Sequence, residues 1–236
     1  TLIEKRDASA DWDVKEKISA KHATVYEEIL NDMGRMITDS IEKNDGQSIP
    51  GMVRFFDDDL QEAISETYLD AGVTLGQEIV IQKRAASAEL EAAILDEMDI
   101  LRELTDLQES TVDKIEEVMA KGISEGKTTK ELTEILIDSG VFSPMRALRI
   151  ARTVCGAGSS RGQWVSGIMA GANAKRWLSA GDSNVRDSHA RMNGELRPIH
   201  ENYSNGARFP VDPLLSAAER VNCRCSQVFE IIEDLP

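Results

Sequence analysis

SAELEAAILDEMDILRELTDLQESTVDKIEEVMAK, residues 87–121, carries the pattern that decides the architecture. Leu90, Ile94, Glu97, Leu101, Leu104, Gln108, Thr111, Ile115 and Val118 recur at alternating steps of four and three, and six of the nine are apolar. That spacing draws one apolar stripe along a helix of about five heptads. A strand would need alternation at a period of two. The polar residues at 97, 108 and 111 interrupt the stripe, so a helical bundle or long hairpin is expected in preference to a strict two-stranded coil. Self-association through these helices stays open as the alternative.

The same period continues upstream. Val14, Ile18, Lys21, Val25, Ile29, Met33, Met36 and Ile37 predict a helix over 13–45, with Asp11 or Asp13 as its cap. A breaker stretch follows from Gly46 to Gly51 with Pro50. Leu60, Ile64, Tyr68, Ala71, Leu75 and Ile79 predict a second helix from about Asp58 to Lys83. Downstream, Gly122 and Gly126 close the long helix, and Thr128 with Glu131 reads as a capping box for a short helix to Asp138. Gly140 ends that helix. Ser143-Pro144 then caps another, predicted to about Ala170 and weakened by Gly156, Gly158 and Gly162.

Beyond Gly171 the pattern changes to short mixed segments at Lys175–Leu178, Leu196–Ile199, Ala207–Phe209 and Ser226–Ile231, punctuated by Gly and Pro. These predict short antiparallel strands. The expected fold class is therefore α+β: an acidic helical region at 1–140 and a small α+β domain at 141–236.

Charge divides the chain in the same way. Residues 1–127 carry 14 Lys or Arg against 30 Asp or Glu, a balance of −16, and residues 128–236 carry 13 against 12, a balance of +1. Eleven of those 13 are Arg, which suits planar bidentate contacts with carboxylate or phosphate. No apolar run reaches the roughly 18 residues of a membrane span, and the N-terminus shows no apolar h-region of a secretory signal. Cys155, Cys223 and Cys225 are odd in number, and two are separated by one residue, which does not make a disulfide framework. A reducing compartment is expected.

The second half carries an ordered string: Ile150-Ala-Arg152-Thr153, Lys175-Arg-Trp177, Gly181-Asp182, Val185-Arg186-Asp-Ser-His189, Met192-Asn-Gly194, Phe209-Pro, Asp212-Pro, Ala218-Glu219 and Asn222-Cys223-Arg224-Cys225. In this order and spacing, over roughly Met145 to Phe229, it resembles the phage Mu F-like family of minor head, or head morphogenesis, proteins. The resemblance implies a structural minor head protein of a tailed bacteriophage or prophage, present in few copies near the portal vertex and acting in capsid assembly or DNA packaging. It implies a virion location, with the host cytoplasm during assembly. Its implied partners are the portal protein, major capsid or scaffold subunits, and no membrane.

Three chemical readings compete with that structural role. His189, His200, Cys223 and Cys225 offer two imidazoles and two thiolates, a donor set that suits tetrahedral zinc. Cys-x-Cys is not the usual Cys-x2–4-Cys knuckle, however, so the expectation is no cofactor, with buried thiols and a hydrogen-bonded His189. A Cys–His nucleophile would make the chain a thiol- or zinc-dependent hydrolase or a toxin-like effector, with Arg224 lowering a thiol pKa. Arg146, Arg149 and Arg152, at steps of three, would line one helical face and meet DNA phosphates, an acidic partner, or the acidic half of this chain. Asp182 is expected to cap the turn holding Arg186, Asp187 and His189, with Trp164 and Trp177 as core anchors.

Overall fold

The computed structural model describes residues 8–43, 47–80, 87–95 and 97–233. Three long helices form the frame: α1 (Ala8–Lys43), α3 (Asp57–Val80) and α7 (Pro144–Met169), each packed on the other two. Helix α7 runs without a break. Its glycines do not weaken it; they allow close approach. A Cβ on Gly158 would sit 2.6 Å from the Tyr68 Cα, and one on Gly162 would overlap the Gly72 backbone, so α3 and α7 meet main chain to main chain. Small residues at that contact give up side-chain volume for backbone packing.

The stripes expected on α3 hold: Leu60, Ile64, Tyr68, Ala71 and Leu75 are buried. On α1 the buried face is rotated from the expected one. It runs through Lys15, Ile18, Ser19, His22, Tyr26, Leu30, Met33 and Ile37, while Val25 stands exposed. The described part of α1 already includes Ala8, upstream of both expected caps, so Asp11 and Asp13 lie inside the helix. The breaker stretch contains a short helix α2 (Ile49–Arg54), capped by the Ser48 side chain with Pro50 in the first turn. Gly46 and Lys83 lie outside the described residues.

The long helix predicted over 87–121 is two helices, α4 (Ser87–Ile94) and α5 (Glu97–Ser124). The junction has a physical cause. Arg161 of α7 donates to the Ala93 carbonyl at 3.0 and 3.2 Å and pairs with Asp99 at 3.2 Å, so one guanidinium holds both sides of the break. That carbonyl is among those a helix end leaves without an intrahelical donor. The inner face of α5 is also shifted. Asp99, Ile100, Glu103, Leu104, Thr111 and Ile115 are buried, and Leu101 is exposed. Helix α6 (Thr129–Asp138) opens with the predicted capping box, and Ser143 and Pro144 open α7 as predicted.

The C-terminal segments form a three-stranded antiparallel sheet in the order β2-β1-β3, from β1 (Ala174–Leu178), β2 (Leu196–Pro198) and β3 (Ser226–Glu230). Ala174 stands opposite Pro198 on one side and Glu230 on the other. Two short helices, α8 (Asp187–Arg191) and α9 (Ala217–Arg220), lie in the connections. The strand expected at Ala207–Phe209 is a turn. There the Arg208 amide and guanidinium both donate to the Asp212 carboxylate at 2.7–2.9 Å, and Val211 takes φ 63°, outside any strand geometry. One hydrophobic cluster runs from Tyr26 and Leu30 through Ile64, Leu104 and Ala151 to Trp177, Cys223 and Cys225. The core is thus continuous across the division expected between residues 140 and 141.

Candidate functional site

Part of the family string, Thr153, Trp177, Arg186, His189, Glu219 and Asn222 to Cys225, meets in one place, where α8, the turn before β3 and the middle of β1 come together. Asn222 starts the turn. Its φ of 58° is the left-handed conformation that Asn tolerates better than most residues, and its N–H donates to Thr153 Oγ1 of α7 at 3.1 Å. The Arg186 guanidinium donates to the Val221 carbonyl at 2.7 Å, fixing the start of α8 to the same turn. These ties swing Cys223 and Cys225 back over His189. The two cysteines lie in the turn and not on a strand, yet both sulfurs point to one spot.

The geometry there is compact. His189 Nδ1 is 3.4 Å from Cys223 Sγ and 3.5 Å from Cys225 Sγ, and the Cys225 amide approaches Cys223 Sγ at 3.4 Å. His189 Nε2 meets the Glu219 carboxylate at 2.9 Å. Trp177, fully buried on β1, presents its ring edge-on to His189 at 5.2 Å and to Tyr203 at 5.1 Å. His189, Cys223 and Cys225 are 1, 5 and 2% exposed. Their ligand atoms all lie within 4.8 Å of one another, so among the described residues these three are placed to hold a metal. His200 is exposed and does not join them.

The Cys225 thiol and the His189 ring hold Cys223 well below the ordinary thiol range. Cys225, hydrogen-bonded to that sulfur and buried, is pushed up. Burial alone would lower His189, but the Cys223 sulfur and Glu219 outweigh it and raise the ring. Arg224, expected to activate a thiol, instead pairs with Asp182 and lies over the Trp12 ring at 5.4 Å. Asp182 does not cap α8; it accepts from the Asn184 amide at 2.8 Å in a local turn, and the cap position of α8 is Arg186, whose side chain makes no capping bond. Gly194 takes φ 84°, donates to the Trp177 carbonyl at 2.9 Å and accepts from Arg176 at 3.0 Å.

The arginines expected on one face of α7 diverge. Each step of three residues falls roughly 60° short of a full turn, so the row curls around the helix. Arg146 points inward, donating to the Val141 carbonyl at 2.8 Å and Thr111 Oγ1 at 2.7 Å, and burial lowers its pKa to about 10. Arg152 pairs with Glu16 of α1, and Arg149 is exposed.

Sequence reasoning offered the acidic half as a partner for Arg152, which pairs with Glu16, but it missed Arg208 and Arg220, which also join the two halves. Arg208 pairs with Asp99 and Asp212, both at 2.7 Å, and Arg220 of α9 pairs with Glu103 at 2.7 Å and with Asp106. Their signal was Asp99 and Glu103 themselves, two acids four residues apart beside an apolar stripe. Lys175, buried on β1, donates to the Arg208 carbonyl at 2.6 Å, and burial lowers its pKa to about 8. Trp164 is partly buried, with its indole N–H on the Ile199 carbonyl at 2.9 Å.

Comparison with known proteins places this arrangement. The uncharacterized protein YqbB of Bacillus subtilis (strain 168) is 32% identical over 124 residues, 49% of this chain and 41% of that protein. The NAD(+)--arginine ADP-ribosyltransferase EFV of Enterococcus faecalis (strain ATCC 700802 / V583) is 28% identical over 120 residues, 48% of this chain and 24% of that protein. The chain thus spans less than half the length of either relative. No solved structure matches it. No described helix is long and apolar enough to cross a membrane. The family model described as Phage Mu protein F like protein matches residues 113–228, starting within α5, ahead of the Met145 at which the resemblance begins in the sequence. Over those residues, just under half of its length, the chain is similar to the Phage Mu protein F like family.

Proposed function

We propose that this chain is a minor head protein of a tailed bacteriophage or prophage, docking near the portal vertex and acting in capsid assembly or DNA packaging. The family match over residues 113–228 carries the reading. The chain's chemistry supports a subunit over a catalyst. Arg152, Arg161, Arg208 and Arg220 spend their charge on acids of the helical half, which makes one body of two oppositely charged segments. The one Cys–His cluster among the described residues is buried, whereas a nucleophile needs a path for its substrate. The partners proposed are the portal ring and the capsid or scaffold subunits around it.

The transferase relative does not alter this reading. The similarity is 28% identity over 120 residues and a quarter of that protein, too little of it to carry its activity over. DNA contact is less favoured, because Arg146 and Arg152 are engaged inside and Arg149 is the exposed member of the three.

The test is co-purification of the tagged chain with assembled portal. The reading expects a stable complex that survives gel filtration. A chain that ignores portal, capsid and scaffold, yet turns over a substrate at a rate abolished by His189→Ala or Cys223→Ser, would overturn it in favour of a hydrolase or effector.

A further inference from the structure

We infer that His189, Cys223 and Cys225 bind a zinc ion that locks α8 to the turn entering β3. The inference stands on this site alone and does not depend on docking at a portal. The donor set is the first support. Two thiolates and one imidazole are borderline-soft ligands that suit zinc over magnesium or calcium, which take oxygen. The spacing is the second. Zinc bonds of about 2.3 Å to sulfur and about 2.0 Å to nitrogen, at a tetrahedral angle, set sulfur and nitrogen roughly 3.5 Å apart. The two observed separations are 3.4 and 3.5 Å.

The surroundings are those of a metal ligand set. His189 turns Nδ1 to both sulfurs and holds its other nitrogen on the Glu219 carboxylate at 2.9 Å, the outer partner that fixes a ligating ring in one tautomer. Ser188 Oγ also reaches that carboxylate at 3.3 Å, so Glu219 is itself positioned. The Cys225 amide aims at Cys223 Sγ, a donor to sulfur that favours the thiolate form. The buried Trp177 Nε1 finds no nitrogen or oxygen acceptor among the described residues and lies beside the Cys225 sulfur. The fold supplies the reason for a metal. This half is rich in Gly and Pro, its strands have three to five residues, and α8 and α9 are one turn each, so little regular structure holds the turn in place. Metal coordination adds binding free energy directly to folding in such small units. Three protein ligands leave the fourth position to a water molecule.

The test uses the full chain, purified under reducing conditions without a metal-affinity tag. Elemental analysis is expected to find about one zinc per chain. Replacement by cobalt is expected to give the visible bands of a tetrahedral ion with a sulfur-to-metal band in the near ultraviolet. Cys223→Ser and Cys225→Ser are expected to abolish both signals, and His200→Ala to leave them intact. Chelation is expected to lower the melting temperature, and added zinc to restore it. A reduced, folded chain that carries no zinc and gives no cobalt spectrum overturns the inference, and this readout on the unaltered chain needs no variant to fold. Full cobalt binding by folded Cys223→Ser overturns it equally.

Discussion

Replacing Arg220 by Met tests whether buried ion pairs join the two halves. Arg220 is 4% exposed and its partner Glu103 is also 4% exposed, at 2.7 Å, with Asp106 on the other side of the guanidinium. Burial already holds the Glu103 carboxyl above the usual carboxylate range despite its partner. Removing the cation strands that carboxylate in the core, which costs about 3–5 kcal/mol. The unpaired carboxyl would then hold its proton to higher pH in the folded state than in the unfolded one. A raised folded pKa means stability that is lost as pH rises, so the deficit of R220M should grow as pH rises above the unfolded glutamate value. Replacing both partners, as in R220M with Glu103→Leu, removes the stranded charge and should recover about 2 kcal/mol or more of the loss. Urea unfolding followed by two probes measures this. A cost under about 1 kcal/mol for R220M, with the double variant equal to the sum of the singles, would refute the reasoning.

Three further outcomes follow from the same packing. Gly162→Ala should destabilise by about 1–3 kcal/mol, since its Cβ meets the Gly72 backbone, although Ala is the better helix former; a rise in the denaturation midpoint would contradict the backbone contact of α3 and α7. Thr128→Ala should cost about 1 kcal/mol by removing the cap of α6, measured in the same unfolding assay. Asp70 bonds His22 at 3.0 Å and Lys21 at 2.6 Å; burial works against its charge, but these bonds win and lower its pKa. A lowered carboxyl pKa stabilises above the unfolded value and ceases to do so as pH falls through the folded one. The stability gap between the natural chain and Asp70→Asn should therefore be full above about pH 4 and close below it; a gap that widens in acid would contradict the assignment.

The parts of this fold that were legible are those governed by neighbours in sequence. Thr128 with Glu131, and Ser143 with Pro144, announce helix starts because a cap and its partner lie within one turn. Leu60, Ile64, Tyr68, Ala71 and Leu75 announce a face because, Thr67 apart, the inward residues there are apolar or aromatic. Helix α1 misled because its inner face carries Lys15, Ser19 and His22, so following apolar residues led to the exposed Val25 and past Tyr26 and Leu30. The break between α4 and α5 was hidden because its cause, Arg161, lies 68 residues from the carbonyl it binds. Asp99 and Arg208 meet across 109 residues, a separation no local pattern reports. At the candidate site the residue types were visible, but their meeting depends on the left-handed turn at Asn222 and on Glu219, whose role only the fold defines.

The most direct measurement is asymmetric imaging of particles assembled with and without this chain. The proposal predicts density beside the portal vertex that is present in the first set, absent in the second, and fits the α1–α3–α7 frame. Particles identical in both sets, with the chain left entirely in the unassembled fraction, would contradict it.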